Sequence, residues 1–230
     1  MKKMSKVLEI GALAAVIGFF AAAISGCGSD EQPIEQVKPK GPLPYETLSE
    51  YEFFTGKLTD LSPAANVVPY DVASPLWSDG AGKARFIVLP EGQKIGFHEG
   101  EDWEFPEGTI IIKSFFFPLD RREPEGVRRH IETRLLVRDS SVAEGWTGHV
   151  YFWNDEQTEA IRVIAGKKVT IDSIDENGKD FSQTYLVPNT NQCKNCHTRD
   201  DVYRALGVTT HQVNRDINVG GEVKNQIDYL

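Results

Sequence analysis

Sulfur is nearly missing from this chain. Of 230 residues only three are Cys and two are Met. Three cysteines cannot build a disulfide scaffold, and both methionines, Met1 and Met4, lie at the extreme N-terminus. Basic charge is also short. With 25 Lys+Arg against 34 Asp+Glu the formal charge is −9, which excludes the basic footprint that nucleic-acid binding requires. The one long apolar run, Ile10–Ile24, has fifteen residues where a membrane-spanning helix needs ~20. There is no H-E-x-x-H, no G-x-S-x-G, no phosphate-binding glycine loop and no G-x-G-x-x-G, so the common hydrolase and nucleotide chemistries leave no local signal. What is present is 40% hydrophobic and 26% charged, enough for a buried core and unlike a disordered or collagen-like chain.

The N-terminus reads as an address. Lys2, Lys3 and Lys6 precede the apolar run, and small residues follow it, which is the layout of a secretory signal over residues 1–26. Ile24-Ser25-Gly26-Cys27 resembles a bacterial lipobox, so Cys27 is expected to be lipidated and to become the new N-terminus. Removing three lysines and one glutamate with the signal would leave 204 residues and a charge of −11. Residues 27–44 are rich in Pro, Gly and polar side chains and predict a flexible tether. Gly28 after the Cys, in place of Asp, leans toward an outer-membrane rather than an inner-membrane anchor. The expected location is the cell envelope, facing the periplasm or on the outer membrane, with membrane contact made through the lipid.

Residues 45–188 predict a β-rich domain. Glu46–Phe54 is compatible with a short helix capped by Thr47, and Pro63, Pro69 and Pro75 keep the next stretch extended. Short runs rich in β-branched and aromatic residues then recur between turn residues: Ala84–Leu89, Lys94–His98, Thr109–Phe117, Arg128–Arg138, His149–Trp153, Ala160–Ile164, Lys168–Ile174 and Phe181–Val187. Their spacing predicts an antiparallel sandwich- or barrel-like body. Asn177-Gly178 predicts a type I′ hairpin; the calcium-loop pattern around Asp175 fails because Gly stands fourth, not sixth. Phe115–Phe117 and Phe152–Trp153 read as core. His130, Glu132 and Arg134 alternate along one strand and predict a shared, solvated face. His98 and His149 are isolated and read as ordinary hydrogen-bonded side chains.

The segment 189–230 carries the motif. Cys193-Lys194-Asn195-Cys196-His197 is C-x-x-C-H, the pattern of covalent haem attachment. Two thiols three positions apart on a helical turn reach the two vinyl groups of a porphyrin edge, and the next residue, His197, is turned to bind iron as the proximal ligand. A thioredoxin-type redox pair would open a helix after a strand in a βαβ setting, which this β-rich body lacks. A zinc site would need two further N or S ligands, and a structural disulfide is allowed outside the cytoplasm. Haem c also uses the three cysteines completely, one for lipid and two for thioethers. The sixth ligand is open. No Met survives signal removal, so His211, another His, a second chain or an empty position remain, with a reduction potential below that of a His/Met haem. A short helix is expected over Asp200–Leu206, and Lys194, Arg199 and Arg204 are candidates for steering an acidic partner.

Several segments together resemble an uncharacterised bacterial family of secreted, often dihaem, c-type cytochromes that are often lipoproteins. They are Val68-Pro69-Tyr70-Asp71, Ser74-Pro75-Leu76-Trp77-Ser78-Asp79, Phe86–Gly92, Ile131-Glu132-Thr133-Arg134-Leu135-Leu136, Trp153-Asn154, Pro188–His197 and Leu206–Asp216. The resemblance covers roughly residues 45–230. It implies haem at Cys193, Cys196 and His197 and electron transfer outside the cytoplasm to a redox protein partner. Members of that family typically continue into a helical module with a second haem and a Met ligand, which this sequence does not contain. The expected function is thus an electron-carrying lipoprotein with one haem rather than an enzyme. Two alternatives stand beside it: a lipid-anchored binding module with a C-x-x-C disulfide, and a haem enzyme using an open iron position.

Overall fold

The computed structural model describes residues 42–230 apart from Glu101 and Gly220. The expected signal, the lipidation site Cys27 and most of the tether lie outside the described residues. The described residues form one compact unit, and it is mainly β.

Its centre is a six-stranded antiparallel meander. The first strands, β1 (Phe54–Thr55) and β2 (Ser62–Pro63), form a small hairpin of their own. The large sheet follows in chain order: β3 (Val67–Pro69), β4 (Gly82–Val88), β5 (Ile110–Pro118), β6 (Arg128–Arg138), β7 (Trp146–Trp153) and β8 (Ala160–Val163). Strands β9 (Lys167–Ile174) and β10 (Asp180–Val187) pair as a separate hairpin. The chain ends with α1 (Cys193–His197), β11 (Thr198–Arg199), β12 (Val202–Tyr203), α2 (Thr210–Val213), β13 (Asp216–Val219), β14 (Glu222–Asn225) and α3 (Gln226–Tyr229). Neighbouring strands of the sheet are sequence neighbours, so no connection crosses the sheet, although the β4–β5 connection is a long loop over 89–109. The sheet stays open and does not close into a barrel.

Seven of the eight expected runs became strands, with ends moved by three residues at most. The eighth, Lys94–His98, makes only an isolated bridge between Gly96 and Glu104.

Both faces of the sheet are covered, which explains the unbroken apolar runs such as Ile110–Ile112. On the first face Phe86, Ile110, Ile112, Leu135, Val137, Tyr151 and Trp153 pack against Leu48, Phe53 and Leu61 of the N-terminal segment. Leu48 is fully buried, so truncating it to Ala should cost about 2–5 kcal/mol. The second face carries two separate apolar clusters. Ile87, Ile111 and Leu136 pack with Trp103, Trp146, Tyr203, Val208 and Val213. Phe115, Phe117, Ile131 and Val150 pack with Val169, Ile171, Tyr185 and Val187 of the β9–β10 hairpin.

Four local expectations are corrected. Glu46–Phe54 is not an α-helix but a 3₁₀ turn, Ser49–Tyr51, ended by Glu52 in the left-handed region and followed by β1 at Phe54. Thr47 does not cap it; its N–H and hydroxyl both donate to Glu50 Oε2. The β9–β10 turn is a hairpin, but not type I′: only Gly178 has positive φ (+77°), and Asp175 N–H donates to the Lys179 carbonyl. That is a type I turn closed by a glycine bulge, which needs one left-handed residue rather than two. Asp200–Leu206 is not a helix. Asp200 and Asp201 both take positive φ and join β11 to β12 in a two-residue hairpin, a conformation that short carboxylate side chains tolerate.

The fourth correction concerns β6. The β5–β6 register slips between Phe115 and Phe116, so that Phe115 faces Glu132 while Phe116 faces His130. Ile131 is the extra residue of a β-bulge. The bulge turns His130 to the first face, where its ring lies 4.7 Å from that of Trp153. Glu132 and Arg134 stay on the second. Nor is this strand solvated: His130 is 4% and Glu132 0% exposed.

Candidate functional site

The C-x-x-C-H segment is launched by a capping box. Gln192 N–H donates to Asn189 Oδ1 at 2.9 Å, and Asn189 N–H donates to Gln192 Oε1 at 2.8 Å. This fixes the turn Thr190–Gln192, which runs straight into α1. Cys193 and Cys196 stand three residues apart and so share one side of the turn.

Both are free thiols; Cys193 is half-buried and Cys196 exposed. Cys193 packs against both apolar clusters of the second face, directly over Gly148 of β7. A Cβ placed on Gly148 would lie 3.1 Å from Cys193 Sγ and 3.1 Å from the Tyr203 hydroxyl oxygen. Burial pushes the Cys193 thiol pKa up, and nearby Arg134 opposes that rise.

His197 ends α1, and the β11–β12 hairpin folds back to hold its ring. Arg204 N–H donates to the His197 carbonyl at 2.7 Å, and His197 Nδ1 lies 2.8 Å from the Arg204 carbonyl oxygen. A carbonyl only accepts, so Nδ1 carries the proton and Nε2 keeps its lone pair. The Tyr203 ring stacks on the imidazole at 5.7 Å. Burial depresses the His197 pKa, the Arg204 carbonyl resists this, and Lys113 and Arg134 add to the depression. These effects together favour the neutral form of the ring.

Beneath this segment, between the two apolar clusters, lies a polar strip that the sequence reading did not assemble. It consists of Lys83 and Arg85 on β4, Lys113 on β5, and Glu132 and Arg134 on β6. Arg85 is directly opposite Lys113, and Lys113 directly opposite Arg134. Arg134 is paired with Glu132 at 2.5 Å, and Tyr185 O–H donates to the same carboxylate at 2.6 Å. Arg85 pairs with Asp71 at 3.1 Å. The lone Lys113 within the run Ile110–Phe117 was the available signal, since a charge inside a buried strand demands a partner.

The other candidates are dispersed. His211 is exposed on α2, and no hydrogen bond, ion pair or ring contact joins it to His197 among the described residues. Lys194, Arg199 and Arg204 are each paired, with Glu144, Asp200 and Asp102 respectively, so their charge is locally spent. His149 sits by Thr147 Oγ1 and His98 by Glu104. No group of three or more His, Cys, Asp or Glu side chains suited to a metal ion occurs among the described residues.

Set against protein-family models, curated proteins and solved structures, the chain matches none of them. The functional reading therefore rests on the chemistry of the residues themselves.

Proposed function

We propose that this protein is an extracytoplasmic c-type cytochrome lipoprotein, with one haem joined to Cys193 and Cys196 and its iron held by His197. The observation that carries the reading is the state of His197. Its Nδ1–H is committed to the Arg204 carbonyl, which leaves the Nε2 lone pair for iron, immediately after two unpaired thiols one turn apart. A ligating imidazole is oriented by just such a hydrogen bond, so the donor set fits the group. When bound, haem c supplies reversible one-electron chemistry. Cys193 and Cys196 would tether it, Tyr203 would fix the plane of the imidazole, and the apolar clusters flanking Cys193 would keep water from one face. The resemblance to secreted c-type cytochromes adds weight, and it suggests a redox protein as partner and Cys27 as the lipid anchor.

The test is expression of the full chain in a bacterium carrying haem-maturation machinery. The purified protein should show a c-type absorption spectrum, an intact mass raised by one haem, and haem staining that survives denaturation. Cys193→Ser with Cys196→Ser should lose covalent haem. A colourless product with the two thiols oxidised to each other would refute the reading. Cyanide or carbon monoxide binding at the iron would instead favour an enzyme with an open position.

A further inference from the structure

We propose that Lys83, Arg85, Lys113 and Arg134 form a carboxylate-binding subsite that seats the two propionates of the haem held at Cys193 and Cys196. This rests on the haem reading above and adds the residues that meet the far edge of the group.

The strip is an electrostatic anomaly. Cations placed directly opposite one another on neighbouring strands repel, and here Arg85, Lys113 and Arg134 face each other across three strands. Two carboxylates lie among them, and both are committed. Asp71 is shared between Arg85 and Arg215, and Glu132 takes Arg134 and the Tyr185 hydroxyl. The lysines have no carboxylate partner among the described residues: Lys83 Nζ donates to the Ala81 carbonyl at 3.0 Å, and Lys113 Nζ stands 5.2 Å from the centre of the Phe115 ring. With Arg215 counted, five cations meet two carboxylates, so the strip holds unbalanced positive charge that two propionates would offset. The crowding registers on Lys113, whose pKa falls to about 8 through burial and the surrounding Arg85, Arg134 and Lys83.

The placement agrees. Gly148 on β7 lies under Cys193, and β4 is three strands away, about 14 Å at the ordinary strand spacing. The strip runs parallel to that line, one side-chain row along: Gly148 is level with Leu136, Ile111 and Ile87, and the neighbouring row is Val150, Arg134, Lys113 and Arg85, with Lys83 beyond it on β4. Thioethers hold one edge of a porphyrin, and the propionates leave the opposite edge. A carboxylate pair there would turn a repulsive row into a set of charge-assisted hydrogen bonds.

The experiment compares full-length, haem-loaded wild type with four variants: Lys83→Gln, Lys83→Gln/Lys113→Gln, Lys113→Arg, and Lys168→Gln as a control on an exposed strand position. Covalent haem is quantified by intact mass and by pyridine haemochrome absorbance. The propionates are read by their resonance Raman bending bands, and the midpoint by potentiometry. The expected result is full haem attachment with shifted propionate bands and a lowered midpoint in the double variant, a smaller band shift in Lys83→Gln, and wild-type bands in Lys113→Arg and Lys168→Gln. Should the double variant not accumulate, the bands of Lys83→Gln decide alone. Unchanged bands in fully loaded Lys-to-Gln variants would overturn the proposal and leave the haem reading intact. Absence of covalent haem in the wild type would instead remove the reading beneath it. Inorganic phosphate added at millimolar level is expected to change nothing. If it shifted the wild-type bands but not those of the double variant, the strip would serve a free oxyanion and the proposal would fall.

Discussion

His130 illustrates how one inserted residue decides a side chain's surroundings. Alternation along β6 groups it with Glu132 and Arg134, but the bulge at Ile131 sends it to the opposite face, between the rings of Trp153 and Phe116. Its Nδ1 has no hydrogen-bond partner, and burial lowers its pKa to about 4. The folded state therefore binds fewer protons than the unfolded one between the ordinary histidine value near 6.5 and that depressed value. Stability is fully present above the ordinary value and is lost as pH falls through the window. The loss should be on the order of 3 kcal/mol at its acid end. Urea unfolding at pH 4.5 and 7.5 should show a much lower midpoint at the acid pH, and His130→Phe should flatten that difference. It should not abolish it, because His149 is likewise depressed by burial to about 4. A pH response unchanged by His130→Phe would show that the ring is not neutral and buried. The alternation itself was legible in the sequence. The bulge was not, because it exists only in the register of β6 against β5, a relation between residues that are distant in the chain.

At the scale of elements, strands were read well where β-branched and aromatic side chains ran between turn residues, as in β5, β6 and the β9–β10 hairpin. The failures share a cause. Asp200-Asp201 has no strong preference, and its hairpin is selected by what it achieves: Tyr203 and the Arg204 carbonyl brought onto His197. The C-x-x-C-H motif was legible because its chemistry depends on spacing within one turn. The cationic strip beneath it was hidden because it is written across β4, β5 and β6, one or two residues from each. The junction of α1 with the sheet is testable at Gly148. A side chain there would press on the Cys193 sulfur and the Tyr203 hydroxyl, displacing α1 while the sheet backbone remains. Gly148→Val should keep cooperative unfolding but cut covalent haem yield several-fold, measured as haem absorbance per unit protein. Gly148→Ala, which requires a shift of only a few tenths of an ångström, should lose far less. Full loading of the Val variant would mean that the thiol's seat over β7 is not what presents it.

At the scale of the whole molecule, the sheet has two covered faces, and the second depends on chain that arrives after it. What locks that chain down is polar. Gln226 is fully buried at the start of α3. Its Oε1 accepts from Asp71 N–H at 2.7 Å, and its Nε2 donates to the carbonyls of Asp71 at 2.7 Å and Val213 at 3.1 Å. Arg215 Nη1 adds bonds to Asp71 Oδ2 at 2.9 Å and the Val72 carbonyl at 2.8 Å. One amide thus joins the start of the β3–β4 connection, the end of α2 and the C-terminal helix, over sequence separations that no local pattern reveals. Removing it strands a backbone N–H and two carbonyls in a buried place, each costing about 1–3 kcal/mol when unsatisfied. Gln226→Ala should therefore lower unfolding free energy by about 2–4 kcal/mol after partial relaxation, far more than an exposed substitution such as Lys168→Gln. Hydrogen exchange should localise the effect. Amides of α2, β13 and β14 should lose protection first, while those of β5 and β6 change only with global stability. Because Cys193 also rests on the cluster formed with the β9–β10 hairpin, haem attachment should survive the substitution. If protection were lost evenly, or if haem and the C-terminal segment were lost together, that segment and the attachment helix would form one cooperative unit rather than two that share a sheet.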